Sequence, residues 1–240
     1  GAAPGRDYAG AYAKYVRVPF PEQRLYSLPE EVSFEEGALV EPLACSLHAV
    51  KVSAFGVGEH VMVLGAGPLG LGVIAFLKYA GAGLIVATET NEKRAKLAKK
   101  FGADHVFNPQ RLSNLKEKVL ELTGGEGVEV VFDCSGVPQA FQSATDFLRP
   151  GGRILLAGIC EKVVPFTPMN WVINEWKLQG SLNFCADEFP MVIEFLKKKV
   201  MPIKEMITSK IKLTNIVKEG FEVLGKPGTD EIKILVEPDE

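Results

Sequence analysis

The sequence predicts an α/β fold, in which helices cover the faces of a parallel β-sheet. Two observations predict it. Over residues 57–184, short apolar runs alternate with segments of helical periodicity, and this alternation favours parallel strands joined by helical crossovers. The run HVMVLG (60–65) is continuously apolar, as expected of a strand that is buried on both faces of its sheet.

Each further element follows from its own pattern. After the first strand, strands are predicted at LIVATE (84–89), HVFN (105–108), EVVFDCS (129–135), RILLAG (153–158) and KLQGSLNF (177–184). Helices are predicted between them, because apolar residues recur there at helical spacing. These helices are predicted after Gly67, over 91–102, over 112–122 and over 138–148. The last one is expected to lead into a turn at Pro150-Gly151-Gly152.

The two ends of the chain have a different pattern. AYAKYVRVP (11–19) has the pattern of a strand, and Ser33 with Glu36 forms a capping box at the head of a helical region. Beyond 186, an amphipathic helix (189–200) precedes two strand-like pieces, MITSKIKL and EIKILVEP, which flank a helix over 216–224. These pieces are too few for an independent domain. We therefore expect a main domain at 36–186 and a partial second domain at 1–35 and 187–240.

Composition argues against several classes of function. The chain has 240 residues, of which 47% are hydrophobic, and a formal net charge of −3, so neither nucleic acid nor an anionic membrane is an expected partner. The apolar stretch 61–87 contains Pro68, Lys78 and six glycines, which favours strand, turn, helix and strand over a membrane span. No C-x-x-C spacing and no apolar leader are present, so we expect a cytoplasmic protein.

A glycine-rich motif, Gly65-Ala-Gly67-Pro68-Leu69-Gly70, directly follows the predicted buried strand and opens a helix. Gly65 would make a tight turn, Gly67 would let a pyrophosphate approach the backbone, and Gly70 would let the helix pack closely on the strand. The helix N-terminus would offer free N–H groups to the phosphates. By itself the motif also occurs in plain tight turns, but the preceding strand and following helix favour a nucleotide site.

An acidic residue, Glu89, ends the second predicted strand. A carboxylate there can accept the ribose hydroxyls of NAD and would repel the 2′-phosphate of NADP, so the pattern predicts NAD. Arg94 either covers the adenosine ribose or is a solvated helix residue. Gly136 and Gly158 follow two further strands at the end where such sheets bind ligands. The main domain is therefore predicted to be a Rossmann-type, doubly wound, NAD-binding domain.

Nearly the whole chain resembles the zinc-dependent medium-chain dehydrogenases, particularly the sorbitol, butanediol and threonine dehydrogenase branch. The resemblance rests on the order and spacing of several segments. They are GAYAKYVRVP, LPEEVSFEEGALVEPLACSLHAV, VMVLGAGPLG, the Glu89–Arg94 pair, KKFGADHVFNP, ELTGGEGVEVVFDCSG and LRPGGRILLAG. It implies NAD-dependent oxidation of a secondary alcohol or polyol. It also implies that the ends of the chain are strands and helices of a GroES-like catalytic domain.

The same resemblance implies particular cofactor contacts. Pro68 and Leu69 would touch the pyrophosphate, and Glu89 and Arg94 the adenosine ribose. The nicotinamide amide would be held by the backbone of two segments, Ala157, Gly158 and Ile159 in the first and Ser181, Leu182 and Asn183 in the second. In the family the sixth strand joins two sheets across a dimer axis, so we expect a homo-oligomer. Exposed apolar surface near Tyr12, Tyr15 and Val16 would also promote association.

Glu41 matches the acidic residue that this branch places at or beside the catalytic zinc, whereas the residues alone favour a helix-terminal carboxylate before proline. His48 is either a packed helix residue or a catalytic residue within reach of the cofactor. The family's remaining zinc ligands, a cysteine and a His-Glu pair, are absent from this chain. Because a catalytic zinc needs about three protein ligands, we expect a truncated form that does not retain it. This chain has Asn183-Phe184 where sorbitol dehydrogenases have Arg-Tyr. The loss of that cation and hydroxyl argues against specificity for polyols.

Three functions remain open from the sequence. The first is a dehydrogenase acting on a small-molecule alcohol. The second is a catalytically inactive NAD-binding module or oligomeric fragment, because most zinc ligands are missing. The third is a flavoprotein or a methyltransferase, since both share the glycine loop and the acid at the end of the second strand.

Overall fold

The computed structural model describes residues 5–238. It has eight strands within that range, namely β1 (His60–Leu64), β2 (Leu84–Thr88), β3 (His105–Phe107), β4 (Val128–Asp133), β5 (Leu148–Leu156), β6 (Lys177–Gly180), β7 (Ile207–Lys212) and β8 (Lys233–Glu237). Six of them form one sheet in the order β3-β2-β1-β4-β5-β6, and every pair in it is parallel. This is the doubly wound Rossmann order, which reverses between β1 and β4. The predicted fold class is confirmed.

The helices alternate with these strands. Along the described chain they are α1 (Pro21–Arg24), α2 (Phe34–Gly37), α3 (Val40–Val52), α4 (Pro68–Tyr79), α5 (Glu92–Phe101), α6 (Leu115–Leu122), α7 (Pro138–Ala144), α8 (Pro168–Asn174), α9 (Glu188–Lys197) and α10 (Glu222–Leu224). Short 3-10 turns occupy Ile203–Met206 and Leu213–Asn215, and a π-helical turn occupies Ile216–Phe221. No helix of the described chain combines the length and the apolar character needed to cross a membrane.

The chain divides into two compact units, Leu39–Pro202 and a second unit drawn from Gly1–Ala38 and Ile203–Glu240. The predicted boundary at 186 differs from the observed one at Pro202. The reason is α9, whose Val192 and Leu196 are buried and whose Phe195 ring lies 4.7 Å from that of Phe76 in α4. This packing places α9 with the Rossmann unit.

The core of the larger unit lies in the central strands. Val61, Met62 and Val63 of β1 have no solvent exposure. This strand has a parallel neighbour on each side, and the side chains of such a central strand are buried by helices on both faces of the sheet. Helix α5 ends where the sequence predicted, at Gly102, which has a left-handed φ of 118°.

Several predicted element ends shift. The predicted Pro150-Gly151-Gly152 turn lies within the bounds of β5 rather than before it. The pairing of β4 with β5 shifts register there, and Gly151 has a left-handed φ of 73°. Strand β6 ends at Gly180 rather than at 184. Helices α6, α7 and α9 are likewise shorter than predicted.

The smaller unit contains a two-stranded parallel pair, β7 and β8. Its capping box is confirmed: the Glu36 N–H donates to Ser33 Oγ at 3.3 Å, and the Ser33 N–H donates to Glu36 Oε2 at 2.9 Å. The predicted strand at 11–19 is wrong, because these residues form bends and irregular chain without a ladder partner in the described part of the unit. Residues 1–4 and 239–240 of the predicted terminal parts lie outside the described residues.

Candidate functional site

The turn after β1 requires glycine at its first position. Gly65 has a φ of 90°, a left-handed conformation that side chains with a Cβ rarely adopt. Its N–H donates to the Thr88 carbonyl at the end of β2, at 2.9 Å. The turn is thereby held against the neighbouring strand.

The other two glycines of the motif differ in their surroundings. A methyl group at Gly70 would lie 1.9 Å from the Gly65 carbonyl oxygen, so only glycine fits the contact between α4 and the turn. A methyl group at Gly67 would meet no atom within 4 Å. No side chain caps the N-terminus of α4 at Gly67. The space above this helix end is therefore open, and a helix N-terminus favours phosphate.

The acid at the end of the second strand is tied to this loop. Glu89 is buried, and its Oε2 accepts a hydrogen bond from the Ala66 N–H at 2.9 Å. Its Oε1 accepts from the N–H groups of Thr90 and Asn91, at 2.8 and 2.9 Å. An ionised carboxylate has about four acceptor positions. The Thr90 hydroxyl donates to Oε1 as well, at 3.4 Å, whereas Oε2 accepts the bond from Ala66. Glu89 therefore fixes the glycine loop, and Oε2 keeps a second acceptor position for a ribose hydroxyl.

Gly136 and Gly158 lie in the loops after β4 and β5, and these loops touch backbone to backbone. A methyl group at Gly136 would lie 2.3 Å from the Ile159 carbonyl oxygen, and one at Gly158 would lie 2.4 Å from the Gly136 nitrogen. The Asp133 carbonyl accepts from the N–H groups of Ala157 and Gly158, at 3.0 and 2.8 Å. The two predicted glycines are thus brought together at the carboxyl ends of their strands.

The segment after β6 reaches the same edge of the sheet. The Ser181 N–H donates to the Leu156 carbonyl at 2.8 Å, which ties this segment to the end of β5. Ile159 and Leu182 are 81% and 75% exposed, and Asn183 has a left-handed φ of 56°. These backbones lie at the carboxyl edge of the sheet, where such folds bind their ligands. A contact between them and the nicotinamide stays a prediction.

Arg94 lies in the first turn of α5. Its N–H donates to the Asn91 side chain at 3.0 Å, so Asn91 caps the helix. The Arg94 side chain is half-buried. A contact between Arg94 and the adenosine ribose stays a prediction.

Two residues of this edge were missed from the sequence. Asp133 is buried at the end of β4, and its Oδ1 accepts from the Ser135 N–H at 3.0 Å and from Ser135 Oγ at 2.7 Å. These two bonds shape the turn after β4. That turn faces Gly65, since Ser135 lies next to this glycine. An acid at the end of the apolar run EVVFD was the available signal.

The predicted zinc-side residue, Glu41, is exposed at the start of α3. Its Oε1 accepts a weak hydrogen bond from Cys45 Sγ at 3.6 Å. Burial, followed by the nearby Glu41 charge, raises the pKa of the Cys45 thiol to about 12. In the described chain Glu41 belongs to no cluster of three metal-ligating side chains. These residues therefore do not fit a complete catalytic zinc site at Glu41.

His48 contacts an acid that the sequence did not connect with it. Its Nδ1 lies 3.0 Å from Glu188 Oε1 at the start of α9, and Lys51 Nζ lies 3.1 Å from the same oxygen. Burial opposes ionisation of Glu188, but hydrogen bonds from Cys185, His48 and Lys51 outweigh it and lower the pKa of this carboxyl group. A catalytic role for His48 stays a prediction.

The parallel sheet, the glycine turn and the buried acid after β2 define a Rossmann domain of the dinucleotide-binding class. Residues 68–198 match the family described as zinc-binding dehydrogenase. The chain belongs to this family.

Relatives and solved structures agree with this assignment. The chain is 37% identical over 229 residues to a (R,R)-butanediol dehydrogenase of Bacillus subtilis, covering 95% of this chain and 64% of that protein. It is 32% identical to a probable D-xylulose reductase A of Aspergillus clavatus, covering 95% of this chain and 63% of the relative. The chain therefore spans less than two thirds of the length of these relatives.

Two solved structures have the same fold. The crystal structure of 2R,3R-butanediol dehydrogenase from Bacillus subtilis superposes with a TM-score of 0.81 at 36% identity, over 89% of this chain and 60% of that one. A Sinorhizobium meliloti structure that contains bound NADP superposes with a TM-score of 0.87 at 26% identity, over 98% of this chain and 68% of that one.

Proposed function

We propose that this protein binds NAD at the carboxyl edge of its sheet and, in its complete form, oxidises a secondary alcohol or polyol by hydride transfer to NAD. The observation that supports it best is Glu89, a buried carboxylate bonded to the Ala66 N–H. It lies beside the open space at Gly67. The cofactor would accept the hydride, and the protein would position it against the alcohol.

Glu89 favours NAD over NADP on electrostatic grounds. Its carboxylate can accept a hydrogen bond from a ribose hydroxyl of NAD. The 2′-phosphate of NADP would instead place a negative group beside this buried negative charge, and the two would repel each other. A relative of known structure binds NADP, so the preference of this chain has to be measured.

The test is a fluorescence titration with NADH and NADPH. We expect NADH to bind more tightly, and Glu89→Gln to weaken NADH binding by about ten- to a hundredfold, since a charge-assisted hydrogen bond contributes about 1.5–3 kcal/mol. Glu92→Gln, at an exposed acid on α5, is the matched control. Because Glu89 also holds the loop, thermal unfolding of the variant is measured alongside. Isothermal titration calorimetry with NAD and NADH is the second readout, and no heat of binding for either at millimolar concentration would overturn the proposal.

The substrate class follows from the relatives, whose names include butanediol dehydrogenases and D-xylulose reductases. We propose a small secondary alcohol, and expect butane-2,3-diol to be preferred over xylitol, because Asn183-Phe184 replaces the Arg-Tyr pair of sorbitol dehydrogenases. Alcohol-dependent formation of NADH by the complete protein tests this choice.

A second candidate is a catalytically inactive NAD-binding module. The observation that favours it is Glu41, which lacks companion metal ligands in the described chain. NADH binding without alcohol-dependent turnover would support this candidate, and turnover by this chain would exclude it.

We also propose that the protein is a cytoplasmic homo-oligomer. Its four cysteines are free, which suits a reducing compartment. Strand β6 forms one edge of the sheet and its four residues are exposed, so its ladder groups are available for pairing with a second copy.

A further inference from the structure

Three side chains with metal-ligating atoms meet between α3 and the start of α9. A ring nitrogen of His48, the Sγ of Cys185 and a carboxylate oxygen of Glu188 all lie within 4.8 Å of one another. We propose that this cluster binds one Zn²⁺ through His48, Cys185 and Glu188, with water as the fourth ligand. The proposal does not depend on nucleotide binding.

The donor set selects the metal. Zinc takes imidazole nitrogen, thiolate sulfur and carboxylate oxygen in tetrahedral geometry, at bond lengths of about 2.0–2.3 Å. Magnesium and calcium prefer oxygen ligands alone, so a mixed nitrogen, sulfur and oxygen set discriminates against them. At those bond lengths tetrahedral ligands stand about 3.5 Å apart. Atoms within 4.8 Å therefore need only small side-chain movements to close on the ion.

The cluster is also preorganised. The Glu188 side chain is 1% exposed and that of His48 is 16% exposed, so packing between α3 and α9 limits their rotamers. Glu188 Oε2 accepts the Cys185 N–H at 2.6 Å, which holds the cysteine backbone close to the carboxylate. Cys185 itself is exposed, and this gives an ion and its water a route from solvent.

A resident cation, Lys51, now occupies one side of the Glu188 carboxylate at 3.1 Å. Zinc would displace it, and this displacement has a low cost. Lys51 already pairs with Asp187 at 3.2 Å, and its side chain is 39% exposed. The ammonium group therefore keeps a partner when Glu188 turns to the metal. The cysteine proton leaves to solvent as the thiolate binds, as for other zinc thiolates. If His48 binds through Nδ1, the proton that Nδ1 now donates to Glu188 moves to Nε2 or to solvent.

The first experiment measures zinc affinity by competition with a chromophoric chelator. We expect one Zn²⁺ per chain, and at least a tenfold loss of affinity in both Cys185→Ser and His48→Gln, since even outer partners of a zinc site contribute ten- to a hundredfold. Cys160→Ser, at another cysteine of the same unit, is the matched control and should bind as the unaltered chain does. Cobalt in place of zinc should give a thiolate charge-transfer band that Cys185→Ser removes.

The second experiment uses only the unaltered chain, so its result does not depend on whether a variant folds. Zinc should slow alkylation of Cys185 by iodoacetamide in the unaltered chain, as read by peptide mass spectrometry, while alkylation of Cys160 keeps its rate. Three outcomes would each overturn the proposal: no saturable zinc at micromolar concentration, unchanged affinity in Cys185→Ser, or no protection of Cys185.

Discussion

At the scale of single residues, Gly67 and Gly70 lie three positions apart and should respond differently to an added methyl group. The backbone at Gly67 has φ −70° and the space around it is empty, so Gly67→Ala should fold with an unchanged melting temperature. The methyl group would instead occupy the space proposed for the pyrophosphate. Overpacking costs about 1–3 kcal/mol, so NADH affinity should fall by about ten- to a hundredfold.

Gly70→Ala is the contrasting change. Its methyl group would lie 1.9 Å from the Gly65 carbonyl oxygen, which is backbone that cannot move without disturbing the turn. We expect more than about 3 kcal/mol of lost stability, as for severe overpacking. Urea unfolding of both variants decides the matter. Equal stability of Gly70→Ala and the unaltered chain would show that the close contact is wrong.

At the scale of elements, two asparagines start neighbouring crossover helices with different bonding. The Asn91 side chain accepts the Arg94 N–H at the start of α5, whereas Asn114 at the start of α6 makes no side-chain cap bond. Asn91→Ala should therefore cost about 1 kcal/mol of unfolding free energy. Asn114→Ala is the matched control and should cost clearly less; equal losses by denaturant unfolding would contradict the assignment.

At the scale of the whole molecule, an ion pair links β5 to the connection between α3 and β1. Arg153 Nη1 and Nη2 lie 3.0 and 2.6 Å from the carboxylate of Glu59. Arg153 also donates to the carbonyls of Ser53 and Ala54. Burial opposes ionisation of Glu59, but the bonds from Arg153 and from the Gly56 N–H outweigh it and lower the pKa of the carboxyl group.

This lowered pKa predicts a loss of stability in acid. A carboxyl group whose pKa is lower when folded stabilises the protein above its unfolded pKa of about 4.3, and this stabilisation disappears as pH falls through the folded pKa. Glu59→Gln should thus be less stable than the unaltered chain at neutral pH, and the difference should shrink in acid. Urea unfolding at a series of pH values measures it, with the exposed Glu126→Gln as control. A difference that stays constant with pH would contradict the prediction.

Association is the second property of the whole molecule. Leu178 of β6 is 47% exposed, and Val172 and Ile173 of α8 are 76% and 69% exposed. Apolar groups beside an open sheet edge favour self-association. We expect sedimentation at micromolar concentration to show an oligomer. Leu178→Lys should dissociate it, and Val57→Lys, at an exposed residue before β1, should not; a monomeric unaltered chain would rule out this prediction.

Local patterns by themselves determined much of this protein. Some features depend on residues only a few positions apart, and local sequence is enough to predict them. They are the alternation of strands and helices, the helix end at Gly102 and the Ser33 capping box. The same holds for the glycine turn, because the turn requires a left-handed φ at Gly65 and glycine adopts that conformation without steric cost. The predicted strand at 11–19 was wrong because a strand also requires a neighbouring strand, and local periodicity does not supply one.

Only the tertiary structure decided which distant groups meet. His48 and Glu188 are 140 positions apart, and their contact depends on α9 packing against the Rossmann unit. Likewise, Glu89 bonds to Ala66 because parallel β1 and β2 end at the same edge. A sequence records the type of each residue, whereas such contacts depend on how whole elements pack, which is a sum over many weak and non-local interactions.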